Sequence, residues 1–126
     1  MKFREQLHPS WRKLLQQDLT LLDEIEEKIS LEKYLPSHSL VMRALSYDLR
    51  AAKVLILGQD PYPNPIYPTG LAFSVPSDAV KIPSSLKNIF KELKNTFPER
   101  EYQFNHGDLE RWFDNGIFLL NCIINS

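Results

Sequence analysis

Gly58-Gln59-Asp60-Pro61-Tyr62 sets a carboxamide, a carboxylate and a phenol within five consecutive residues. A carboxylate can orient or activate a water molecule, or face a developing positive charge. A carboxamide offers one acceptor and two donors. Pro61 fixes its own φ and restricts Asp60 to extended geometry, so the acid is held stiffly. An Asp-Pro pair also opens turns. On these residues alone, the turn reading is the stronger of the two.

The elements around this loop decide where it stands. Lys53-Val54-Leu55-Ile56-Leu57 is a continuous apolar run closed by Gly58. Such a run predicts a short strand buried on both faces. Ile117-Phe118-Leu119-Leu120 predicts a second strand, ending at Asn121. Between them, residues 58–70 hold Pro61, Pro63, Pro65 and Pro68, which makes a stiff loop with no regular element. Leu71 to Val75 is expected to be briefly extended. Residues 84–97 predict a helix capped by Ser84 or Ser85, with Leu86, Ile89, Phe90 and Leu93 on one face. Asp108 is a cap for a further helix carrying Leu109, Trp112 and Phe113, stopped at Gly116. Upstream, apolar spacing predicts one helix over 10–29, N-capped by Ser10, and another over about Ser39 to Leu49. Two apolar strands joined by helices suggest a parallel, right-handed βαβ crossover. Both strand C-termini then share one sheet edge, where open parallel sheets bind ligands. Gln59, Asp60 and Asn121 converge there.

Bulk properties limit the choices. The 126 residues suit one domain, and 43% hydrophobic with 25% charged content is ordinary for a globular chain. Fifteen basic and sixteen acidic residues leave a net charge of −1, without the footprint of a strongly basic nucleic-acid binder. The single cysteine, Cys122, excludes a disulfide framework or a thiolate metal cluster and suits a reducing cytosol. The start shows no signal peptide, and no run reaches the ~18 apolar residues of a membrane span. A nucleotide-binding α/β domain would need a glycine-rich phosphate cradle where this loop has prolines. His38 and His106 read as surface residues at helix boundaries.

Four ordered blocks add a resemblance. Gly58-Gln59-Asp60-Pro61-Tyr62, Gly70-Leu71-Ala72-Phe73-Ser74-Val75, Pro83-Ser84-Ser85-Leu86-Lys87-Asn88-Ile89 and Gly116-Ile117-Phe118-Leu119-Leu120-Asn121 resemble the family 1 uracil-DNA glycosylases, in that family's order. The resemblance covers most of residues 40–126. It implies an α/β fold, a three-layer αβα arrangement with a short parallel sheet. Residues 1–126 would form a single domain, incomplete at the C-terminus.

The implied activity is excision of uracil from DNA by hydrolysis of the N-glycosidic bond, in base excision repair. The base must be flipped out of the stack. Charge develops on both sugar and base, and the site must stabilise both. By similarity, Asp60 is the catalytic carboxylate that orients the water and faces the cationic sugar. Gln59 approaches a uracil oxygen through its backbone N–H. Phe73 stacks on the base, although Leu-Ala-Phe-Ser-Val without the resemblance reads as core. Asn121 reads the uracil edge, and Tyr62 stands against C5 and excludes the methyl group of thymine. Ser85 contacts a DNA phosphate. The resemblance implies no cofactor and no metal. It implies uracil-containing DNA, single- or double-stranded, as partner, with an inhibitor protein as a second. It further implies no membrane, a monomer and a cytoplasmic location.

Two departures stand out. Pro63 occupies a position where many members carry histidine. Members also continue for roughly another hundred residues, a domain-sized extension. That part holds further strands, a His-Pro-Ser-Pro block that stabilises the uracil anion, and a leucine loop that enters DNA. Activity of these 126 residues is therefore expected to be low or absent. The alternative is a non-catalytic DNA- or protein-binding fragment of the same fold.

Overall fold

The structure is a computed structural model that describes residues 1–64 and 66–123. Pro65, the third proline of the stiff loop, lies outside the described residues. The N-terminal apolar residues form three helices, α1 (Phe3–Gln6), α2 (Pro9–Leu14) and α3 (Leu19–Ile29). The single helix expected over 10–29 is thus broken at residues 15–18. Gln16-Gln17-Asp18 offers no apolar anchor, and the corner lets Trp11, Leu15, Leu19, Leu22 and Ile29 pack on one cluster. The cap is also displaced from the expected Ser10. Pro9 takes the first helical position, and His8 Nδ1 accepts from the Ser10 backbone N–H at 3.1 Å.

The helix expected over Ser39 to Leu49 shortens to α4 (His38–Val41), followed by 3-10 turns at Arg43–Leu45 and Leu49–Ala51. This segment serves two cores. Val41, Met42 and Leu45 are buried with Phe3 and Leu7, whereas Ala44 joins the cluster of Leu71, Ala72, Leu86, Phe90, Leu109, Phe113, Phe118 and Leu119. A straight helix presents one apolar stripe, so the chain bends to reach both. His38 is more than a surface residue. Its ring stacks on Phe3 at 4.7 Å, and its Nε2 lies 2.7 Å from Glu26 Oε2.

β1 (Val54–Gly58) and β2 (Ile117–Asn121) pair in parallel, with Val54 opposite Ile117 and Gly58 opposite Asn121. Between them lie α5 (Ser84–Thr96) and α6 (Glu110–Asp114). The expected parallel βαβ order is present. Burial of β1 on both faces is not: Val54, Leu55 and Leu57 are each more than half exposed. β2 is the covered strand, with Phe118 and Leu119 buried. Its carbonyl at Leu119 accepts from Ala72 N–H at 3.1 Å, so a loop lies along the edge of β2 away from β1. An apolar run predicts that a strand will be covered; it does not say that its neighbours lie within the same segment.

The expected extension over Leu71 to Val75 is replaced by a turn. Phe73 has φ 66°, in the left-handed region. α5 begins as expected, but Pro83 occupies the N-cap, so neither Ser84 nor Ser85 caps it. Asp108 acts two residues before the start of α6, where its Oδ1 accepts from Glu110 N–H at 3.0 Å. Gly116 stops that helix with φ 86°, as its glycine suggests. No described helix is long and apolar enough to cross a membrane.

Candidate active site

The site starts from the parallel ladder. Gly58 and Asn121 are its last pair. Hydrogen bonds continue past it, from Cys122 N–H to Gly58 O and from Ile123 N–H to Gln59 O, both 2.9 Å. The carboxamide of Asn121 and the loop carrying Asp60 therefore leave the same sheet edge. A Cβ on residue 58 would collide with Asn121 Oδ1 and come within 3.4 Å of Phe73 Cε2. Glycine lets the amide and the aromatic ring close on one point. Sequence reading took Gly58 only as a strand exit and missed this role. Its signal was a glycine inside a block of chemistry-bearing residues.

The second wall is the Gly70–Val75 turn, held from several directions. Gly70 has φ 88°, and a side chain there would collide with Leu40 O. Arg43 Nη1 donates to Thr69 O at 3.0 Å. Ser74 is fully buried, accepts from Leu109 N–H at 2.8 Å and donates to Gly107 O at 3.4 Å. Val75 N–H bonds Gly107 O at 2.9 Å. These bonds fasten the turn to the start of α6. Arg43, Thr69 and Ser74 were not legible as site supports, because their partners are distant in sequence.

Tyr62 joins the two walls. Its hydroxyl donates to Phe73 O at 2.8 Å and lies 3.2 Å from Ser85 Oγ in the first turn of α5. Burial pushes the phenol above its ordinary pKa, with the Ser85 hydrogen bond acting weakly the other way. Tyr67 meets the Tyr62 ring edge-on at 6.2 Å.

The walls enclose a cavity of about 260 Å³, near the lower end of small-ligand sites. Gln59, Asp60, Tyr62, Phe73, Ser85 and Asn121 all line it. Val41, Ala44, Leu45 and Leu71 supply apolar wall, and Pro63 also lines it. Among the described residues, Asp60 is the cavity's only carboxylate, and no Lys, Arg or His lines it. Asp60 and Gln59 are exposed. The arrangement can hold a flat, polar-edged molecule against an aromatic face, with a carboxylate at its rim.

No family model matches the chain. It is 37% identical over 123 residues to the uracil-DNA glycosylase of Corynebacterium efficiens, covering 94% of this chain and 51% of that protein. It is 44% identical over 96 residues to that of a Nocardioides species, covering 76% and 41%. The crystal structure of mimivirus uracil-DNA glycosylase superposes with a TM-score of 0.80 at 27% identity, over 100% of this chain and 50% of that one. A variant of mimivirus UNG in complex with UGI superposes with a TM-score of 0.81. The chain spans about half the length of the curated relatives it matches. Similarity along nearly all of its own length, and a shared fold, make it a member of the uracil-DNA glycosylase family.

Proposed function

We propose that the cavity at the C-terminal ends of β1 and β2 receives a uracil flipped out of DNA, and that Asp60 serves hydrolysis of its N-glycosidic bond. The observation that carries this reading is convergence. Six residues drawn from four separate sequence blocks line one cavity. Phe73 would stack on the base and Asn121 would pair with its edge. A carboxamide matches N3–H and O4 of uracil, whereas cytosine reverses donor and acceptor there. Tyr62 would fill the space beside C5 and exclude a methyl group. Ser85 would meet a phosphate, and the amide of Gln59 a uracil oxygen. Asp60 would orient the water and face the cationic sugar.

Residues 1–126 would then act as one glycosylase-like domain that supplies part of a site. A binding-only reading has one observation in its favour. Among the described residues no cation lines the cavity, so a departing uracil anion has no charged partner there. A protein inhibitor would compete with DNA for the same face. Asp60→Asn separates the readings. Assayed on single-stranded uracil-containing DNA, it should lower base release by about a hundredfold or more and leave DNA affinity nearly unchanged. Release that survives the substitution would remove Asp60 from the chemistry; binding without release in the unaltered chain would favour the second reading.

A further inference from the structure

The Tyr62 phenol touches two groups with different proposed duties, the Phe73 platform and the Ser85 phosphate contact. It has one proton. That proton goes to Phe73 O, the shorter contact at 2.8 Å. The 3.2 Å contact with Ser85 must then run the other way, with Ser85 Oγ–H donating to Tyr62 Oη. Burial keeps the phenol protonated, so this count holds at neutral pH.

A phosphodiester accepts hydrogen bonds and donates none. Through its hydroxyl, Ser85 can bind one only by giving up the proton it gives to Tyr62. Tyr62 Oη then has no donor, and the freed lone pairs of Ser85 Oγ at 3.2 Å open a second arrangement for the Tyr62 proton, in the order Tyr62 to Ser85 to phosphate. The carbonyl of Phe73 loses its donor in that arrangement. This carbonyl belongs to a residue at φ 66°, a conformation that persists only where its surroundings hold it.

We propose that the Tyr62 hydroxyl is a positioning group that relays phosphate contact at Ser85 to the backbone of Phe73, so that gripping DNA re-sets the base platform. The proposal rests on the uracil-DNA reading for the identity of phosphate and base. The relay itself is a property of the free protein. Tyr62 thus has two separable parts, a ring that shapes the cavity and a hydroxyl that ties its walls together.

Two measurements on the 126-residue chain test it. The first uses no DNA and follows the carbonyl-carbon resonance of Phe73. Tyr62→Phe and Ser85→Ala should each move it, the double variant should move it no further than Tyr62→Phe, and Ser85→Thr should restore it. A Ser85→Ala chain with the wild-type Phe73 resonance overturns the relay. The second compares affinity for a single-stranded oligonucleotide holding one uracil with that for the same strand holding a tetrahydrofuran abasic site. Tyr62→Phe should reduce the preference for uracil by up to about tenfold, the scale of one neutral hydrogen bond. Ser85→Ala should alter that preference in the wild-type background and leave it unaltered beside Tyr62→Phe. Equal weakening of both strands by Ser85→Ala in both backgrounds overturns the coupling. If the unaltered chain shows no preference for uracil, the functional reading fails, and the carbonyl resonance decides the relay alone.

Discussion

Asn121 Oδ1 occupies the space that a side chain on Gly58 would need, and the two residues face each other as the last pair of the parallel ladder. The Asn121 amide and the missing side chain are thus one steric unit. Gly58→Ala should push the amide aside, with Ala72 Cβ at 3.1 Å closing the other route. Overpacking of this kind costs about 1–3 kcal/mol. Thermal unfolding should show that loss, and affinity for uracil-containing DNA should fall with it. An alanine variant that binds as the wild type does would separate Asn121 from recognition.

Phe73 allows function and stability to be told apart. Asparagine tolerates φ 66° better than phenylalanine does. Phe73→Asn should therefore destabilise by less than the ~3–5 kcal/mol of an ordinary buried Phe truncation. Affinity should still fall by about 1–3 kcal/mol, the worth of a base–aromatic stack. Calorimetric unfolding and oligonucleotide titration on the same sample read both quantities.

Ser74 tests the fastening of the turn. Ser74→Ala leaves the buried Leu109 N–H without its 2.8 Å acceptor. An unsatisfied buried donor costs about 1–3 kcal/mol, which should appear as a midpoint several degrees lower. An unchanged midpoint would mean that the turn is held by its apolar contacts alone.

Tyr62 gives a pH signature. Burial raises its pKa in the folded chain. The unfolded phenol ionises near its ordinary value of about 10. The stabilisation is therefore complete below that value and is lost as pH rises through the folded one. Tyr62→Phe should lose stability less steeply above about pH 10 than the wild type does. Tyr47, also raised by burial, is present in both proteins and cancels in the comparison.

The parts of this molecule that were legible in sequence are those set by local pattern. Two apolar runs ended at Gly58 and Asn121, and the ladder pairs those ends. The helix breaks at residues 15–18 and after Val41 were not legible, because periodicity reports a stripe and cannot report two cores. The conformation of Phe73 was hidden for a related reason. Leu-Ala-Phe-Ser-Val carries Phe and Val, which suit extension, and no glycine or proline to mark a turn. Its turn is imposed by Leu40 against Gly70, by Arg43 on Thr69 and by Tyr62 on the Phe73 carbonyl. The exposure of β1 escaped because hydrophobicity specifies burial without naming what supplies it.

The ladder also sets when the site comes into being. Asp60 and Asn121 lie roughly sixty residues apart along the chain, a separation that makes their meeting a slow, late event in folding. The cavity is lined from both segments. Occupancy of the cavity therefore reports on completed strand pairing, and a ligand that binds there selects fully zipped molecules from the folding ensemble.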